Sequence, residues 1–155
     1  IKEFLISKGV ESAIIDLGGN TLCIGENLMD HHSHRHSKTI CRTQRDNCSL
    51  EINDKSVVSS GIYERYFEKD GNFYHHILNP KTGYPYDNSL ISVTIISDKS
   101  VDGDGLSTTC FALGLEKGME LINSLPDVQA VFITDDYELH YSDGFEEEIS
   151  MADVK

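Results

Sequence analysis

Residues Gly71–Pro85 constrain this chain more than any other stretch. The run opens at an Asp70-Gly71 turn and carries a short strand with two adjacent histidines, His75 and His76, on it. It then breaks at Asn79-Pro80 and turns again at Thr82-Gly83. Neighbouring strand residues point to opposite faces, so only one of the two imidazoles can face a pocket on a given side. Pro80 bars a regular helix, and Gly83 permits a backbone with positive φ close to a ligand. The pattern is a strand that delivers an imidazole to the mouth of a rigid loop. A purely structural hairpin accounts for the same residues equally well.

The flanks are rich in strands. Ser12–Leu17 reads as a buried strand ending in Gly18-Gly19-Asn20, where two glycines either let backbone amides approach a ligand or make a tight turn. Ser49–Ile52 and Ser56–Ser60 read as short strands around an Asn53-Asp54 turn, and Gly61–Phe67 leads with alternating aromatics into the Asp70-Gly71 hairpin. Leu90–Ile96 is the strongest strand signal. Ile1–Gly9 reads as the last turns of an amphipathic helix with a glycine stop. A second helix follows Asp102, with Leu106, Cys110 and Leu113 on one face and Gly114 as its stop; a third covers Glu116–Leu125 and ends at Pro126. Val128–Thr134 and Glu138–Tyr141 form a last hairpin, and Glu146–Glu148 reads as an acidic tail. Together these predict an α+β fold, a largely antiparallel sheet with two C-terminal helices packed on it, in a single domain over residues 1–155.

A net charge of -13 argues against a nucleic-acid partner or an anionic membrane surface. An anionic small molecule would need a cation or helix N-termini to offset repulsion. No apolar run reaches the length of a membrane span. The chain carries no signal peptide and begins inside a helix, so an upstream part is expected to be missing. The four cysteines lack zinc-type spacing and are too few for a disulfide scaffold at this length. Residues 28–48 are atypical: His31, His32, His34 and His36 are four of the seven histidines, with Cys41 and Cys48 behind them. Such tracts can bind metal, but no periodicity fixes ligand geometry here, and a polar loop is the better reading.

Asp104 and Thr108 are four residues apart at a helix start, and so lie on one face, a turn from each other. A carboxylate and a hydroxyl are hard oxygen ligands that suit Mg²⁺ better than zinc or copper. The helix N-terminus favours phosphate. Mg²⁺ completes its shell with substrate phosphates and water, so two protein ligands make half a site. Taken alone, the pair is better explained by an N-cap at Asp104, with Thr108 merely packed.

Four segments, Asp16-Leu-Gly-Gly-Asn20, Val57–Phe67, His75–Pro85 and Asp104-Gly-Leu-Ser-Thr108, occur in the order found in the FAD:protein FMN transferases, the ApbE-type flavin transferases, which the chain resembles over nearly its whole length. The resemblance covers the C-terminal half of the family's usual length. It implies an α+β flavin transferase fold binding FAD and Mg²⁺ together, and transfer of the FMN half of FAD to a Ser or Thr hydroxyl of an acceptor flavoprotein, with release of AMP. By that resemblance Asp104 and Thr108 are metal ligands, Gly18, Gly19 and Asn20 belong to the FAD cradle, and Ser60, Gly61 and Tyr63 to its pocket wall. Ile77, Thr82 and Gly83 are further FAD contacts in the same resemblance. His76 corresponds to the catalytic histidine, and His75 to framework. The family also implies an extracytoplasmic bacterial setting, periplasmic or anchored through the missing N-terminus.

The chemistry suits these parts independently: splitting a pyrophosphate needs charge neutralisation, and activating a hydroxyl needs a base with a pKa near neutrality. Two other activities use the same parts, an FAD pyrophosphatase giving FMN and AMP, and a flavin- or metal-binding module without turnover. Three departures stand out. Asn79 replaces the family's usual Asp, which is expected to weaken the loop; the upstream half is absent, which is expected to leave this half weakly active; and family-like residues stop after Asn27 and return at Ser49. A shifted reading frame explains the third. His34–Thr43 can be encoded so that moving on by one base gives Ile-Gly-Ile-Gln-Lys-Pro-Phe-Ala-Glu, the strand and proline the family pattern wants. Ser33–Gln44 is then expected to be loop-like.

Overall fold

The β-branched run ending at Ser97 is the spine of the molecule: all but one of its eight residues are buried. A strand buried on both faces needs sheet partners on both edges and a packed layer on each side. In the computed structural model of the chain, which describes residues 1–25, 39–42, 49–63 and 65–152, both conditions are met. The N-terminal elements are helix α1 (Lys2–Ser7) and strands β1 (Ala13–Asp16), β2 (Asn20–Ile24), β3 (Thr39–Arg42) and β4 (Ser49–Ile52). Strands β5 (Ser56–Gly61), β6 (Tyr66–Lys69), β7 (Asn72–His75) and β8 (Leu90–Ser97) follow. Helices α2 (Ser100–Leu113) and α3 (Leu115–Asn123), strands β9 (Val128–Thr134) and β10 (Leu139–Tyr141), helix α4 (Phe145–Glu148) and strand β11 (Ser150–Ala152) complete the chain.

The main sheet has the order β1-β2-β5-β8-β9-β10, antiparallel at every pairing. Alternation along β5 and β8 divides the apolar residues between two layers. Val93, Ile95 and Phe132 face α2 and α3, where they meet Cys110, Phe111 and Ile122. Val57, Ile96 and Val131 face the other way, onto Leu50, Ile52, Phe145 and Ile149. The smaller sheet β11-β4-β3 lies on that second side. The α+β class and the antiparallel sheet are thus as the sequence predicts. No helix among the described residues is long and apolar enough to cross a membrane.

Helix α2 lies close to the sheet because it carries glycine where it crosses β5. A Cβ on Gly103 would sit 2.7 Å from Val58 Cγ2 and 3.3 Å from Ser97 Oγ. The lack of a side chain lets short hydroxyls further along the helix reach the strand.

Several expectations change. Ser12–Leu17 is not a buried strand: β1 is the edge of the sheet, and Ile14 and Leu17 are 57% and 65% exposed. Helix α2 starts at Ser100, a turn before Asp104, so Asp104 is not its N-cap. The buried face of α2 runs through Gly103, Ser107, Cys110 and Phe111, whereas Leu113 is 43% exposed. The acidic tail is instead a short helix, α4, leading into β11, which pairs with β4. Thr39–Arg42, expected to be loop-like, pairs with β4 from Thr39↔Ile52 to Arg42↔Ser49. Such a ladder uses backbone groups, which any side chains permit. The rest of the atypical segment 28–48, including its four histidines, lies outside the described residues.

Candidate active site

The site forms where β5, α2 and the loop after β7 meet. In β5, Val58 and Ser60 point towards α2. Val58 lies under Gly103, so Ser60, two residues on, comes under the next turn of the helix. Ser60 Oγ is 2.9 Å from Ser107 Oγ and 3.1 Å from Thr108 Oγ1, and the Ser107 hydroxyl donates to the Asp104 carbonyl at 3.2 Å. Asp104 and Thr108 are both exposed, one turn apart in unbroken helix. The Asp104 carboxylate has no hydrogen bond or ion pair among the described residues, and its oxygens are open to a ligand. One turn earlier, the Ser100 hydroxyl donates to Asn20 Oδ1 at 2.5 Å. Ser100, Asp104 and Thr108 therefore make a polar stripe about 12 Å long at 1.5 Å per residue.

The two histidines have different environments. His75 ends β7, is only 6% exposed, and meets the Phe111 ring edge-on at 5.6 Å. Its Nδ1 accepts the Ile77 amide at 3.3 Å, so Nε2 carries the proton and donates to the Tyr86 carbonyl at 2.9 Å. Both ring nitrogens are occupied, as a framework residue requires. His76 is exposed. Its Nδ1 lies 3.3 Å from the Arg65 carbonyl, which can only accept, so this ring is protonated on Nδ1. The Nε2 lone pair is left without a partner among the described residues. His76, Ile77, Tyr86, Thr108 and Leu113 line one open cleft of about 460 Å³.

The remaining predicted residues do not line this cleft. Gly18 and Gly19 have φ of 71° and 89°, which suits glycine. The Gly19 carbonyl accepts the Ser59 amide at 3.0 Å, which ties the Gly18–Asn20 turn to β5. Tyr63 folds over Gly61, where a Cβ would be 2.8 Å from the ring. Thr82 and Gly83 lie at an exposed loop tip, outside the His76 cleft. That loop is well tied: the amides of Thr82 and Gly83 donate to the Asn79 carbonyl at 3.2 and 2.8 Å. Asn79 Oδ1 accepts the Lys81 amide at 2.9 Å, so Asn supplies an acceptor at the position where Asp would.

Sequence reasoning missed Ser107, Tyr86 and Ser100. The signal for Ser107 was present: it is four residues after Gly103, so it shares the stripe that faces the sheet. Among the described residues no three His, Cys, Asp or Glu side chains gather to hold a metal. The Asp104 and Thr108 oxygens suit a hard cation that takes its other ligands from substrate and water.

The profile of the ApbE family matches residues 1–132. An FAD:protein FMN transferase of Klebsiella pneumoniae is 46% identical over 134 residues, covering 86% of this chain and 41% of that protein. One of Treponema pallidum is 35% identical over 164 residues, covering 100% of this chain and 45% of that protein. Among solved structures, an ApbE protein from Thermotoga maritima superposes with a TM-score of 0.76 at 25% identity, over 95% of this chain and 48% of the other. The Vibrio cholerae flavin transferase ApbE gives 0.75 at 25% identity, over 94% and 47%. The chain thus spans about half the length of the relatives it matches. On the family profile, these identities and the shared fold, the chain belongs to the ApbE family.

Proposed function

We propose that this chain is part of an enzyme that transfers FMN from FAD to a Ser or Thr hydroxyl of an acceptor flavoprotein and releases AMP. The observation that carries it is the convergence of His76 and Thr108 on one cleft, with Asp104 a turn away. His76 Nε2 takes the proton of the acceptor hydroxyl. The hydroxyl oxygen bonds to the phosphorus of the FMN half, and the bond from that phosphorus to the bridging oxygen breaks, leaving AMP. Asp104 and Thr108 hold Mg²⁺, which supplies charge neutralisation at the pyrophosphate. The Gly18–Asn20 turn gives backbone close access at the start of α2, Ser60, Gly61 and Tyr63 form the wall, and Ile77 provides apolar floor. His75 keeps the His76 loop in place.

Incubation with FAD, Mg²⁺ and an acceptor flavoprotein separates this reading from its rivals. Covalent flavin on the acceptor supports transfer. Free FMN plus AMP points to a pyrophosphatase, and unchanged FAD points to a binding module.

A further inference from the structure

The hydroxyls of Ser60, Ser107 and Thr108 form a chain whose proton directions are fixed. Three contacts are present: Ser107 to the Asp104 carbonyl at 3.2 Å, Ser60 to Ser107 at 2.9 Å, and Ser60 to Thr108 at 3.1 Å. Each hydroxyl has one proton. A carbonyl only accepts, so the Ser107 proton goes to Asp104. The Ser60 proton must then go to Ser107, and the Thr108 proton to Ser60. No other assignment makes all three contacts hydrogen bonds. Ser107 is fully buried, so water does not compete for its hydroxyl. The Thr108 proton is thereby turned towards β5, and its free lone pairs are left for the exposed side.

We infer that Ser60 and Ser107 are positioning residues that present the Thr108 oxygen to a divalent cation as an acceptor only. This rests on the reading of Thr108 as a Mg²⁺ ligand. A free threonine rotor also spends time with its proton aimed at the cation, which repels it. The relay removes those states. Groups behind a ligand that orient it in this way commonly change metal affinity 10–100-fold when lost. Gly103 is part of the device, because serines are short and meet only where helix and strand are close.

The test is a double-mutant cycle read by calorimetric titration of Mg²⁺ into the chain with FAD present. Ser107→Ala is expected to weaken Mg²⁺ binding about tenfold. In a Thr108→Ala background the same substitution should change nothing, because its only route is through Thr108. An equal loss in both backgrounds, which a merely structural serine would give, overturns the inference, as does no loss in either. Ser60→Ala, titrated at saturating FAD because Ser60 also belongs to the FAD wall, should repeat the pattern and serves if Ser107→Ala does not fold. If Thr108→Ala keeps full Mg²⁺ affinity, the ligand reading itself fails and takes the inference with it. If Thr108→Ala loses affinity while Ser107→Ala and Ser60→Ala do not, only the relay falls.

Discussion

The contact between α2 and β5 makes a prediction whose sign does not depend on helix propensity. In Gly103→Ala the new methyl would lie 2.7 Å from Val58 Cγ2, against roughly 3.5–4.0 Å for carbon atoms in favourable contact. Val58 is β-branched and buried, so it cannot swing aside. Overpacking of this kind costs about 1–3 kcal/mol, whereas alanine gains about 0.8–1.0 kcal/mol over glycine in a helix. The net change in the parent is between about zero and 2 kcal/mol unfavourable. Val58→Ala alone should cost roughly 2 kcal/mol through lost burial and a cavity. In that background the Cγ2 clash is gone while the Val58 Cβ at 3.2 Å and Ser97 Oγ at 3.3 Å stay close, so Gly103→Ala should be neutral to stabilising, by at most about 1 kcal/mol. The coupling between the two sites is therefore positive and at most about 3 kcal/mol. Urea unfolding of the four chains, with m unchanged, measures it. If Gly103→Ala has the same effect in both backgrounds to within about 0.5 kcal/mol, the helix does not rest on Val58 and the account of the site's geometry is wrong. The same clash should lift α2 by several tenths of an ångström and stretch the 2.9 Å Ser60–Ser107 contact, so Mg²⁺ affinity should fall along with stability.

Asp104→Ala should abolish Mg²⁺-dependent transfer while the melting temperature stays near that of the parent, because the carboxylate is exposed and makes no contact among the described residues. His76→Ala should slow transfer by about 10²–10⁴-fold; a full transfer rate would remove it from the mechanism. His75→Ala should instead destabilise the fold, by about 1–3 kcal/mol for the buried Ile77 amide left unpaired and by less for the half-buried Tyr86 carbonyl, as denaturant midpoints would register. Burial pushes the Cys110 thiol up from 9.0 to about 11. Between those values the unfolded chain loses a proton that the native chain keeps, so stability is intact below pH 9 and declines towards pH 11, by up to about 3 kcal/mol. Unfolding midpoints across that range should lose this slope in Cys110→Ala. For Ser33–Gln44, sequencing the coding DNA decides the matter: a shifted frame predicts codons that read Ile-Gly-Ile-Gln one base on, and different in-frame codons dispose of the idea.

The sequence was informative where one force dominates locally. Leu90–Ser97 is apolar nearly throughout, and Asp70-Gly71 supplies two positive φ values, 53° and 77°, for the β6–β7 turn. That one of His75 and His76 is buried and the other exposed was legible because strand alternation leaves little choice. The reading failed where the deciding partner is distant in sequence. Ile14 and Leu17 are as apolar as core residues, and only the strand order shows that β1 is an edge. Nothing between Ser142 and Lys155 indicates that Ser150–Ala152 pairs with Ser49–Glu51. The start of α2 was misplaced because Lys99-Ser100-Val101 carries no side-chain cap, and the glycines at 103 and 105 read locally as turn residues. Their use at 103 depends on Val58, in another element.

The order of strands has a kinetic side. The two ends of the main sheet, β1–β2 and β9–β10, are hairpins of neighbours and close short loops. Its middle is different: Gly61 faces Ser92, Ser56 faces Ser97, and Asn20 faces Val58. Loop entropy must be overcome before such distant pairings are rewarded, so hairpins at the margins should collapse first and the centre should join late. Ser60 and Thr108, 48 positions apart, meet only after that joining. The candidate site is therefore assembled among the last events of folding, and a chain stalled one step short would hold its helices and hairpins yet lack the Ser60–Thr108 contact.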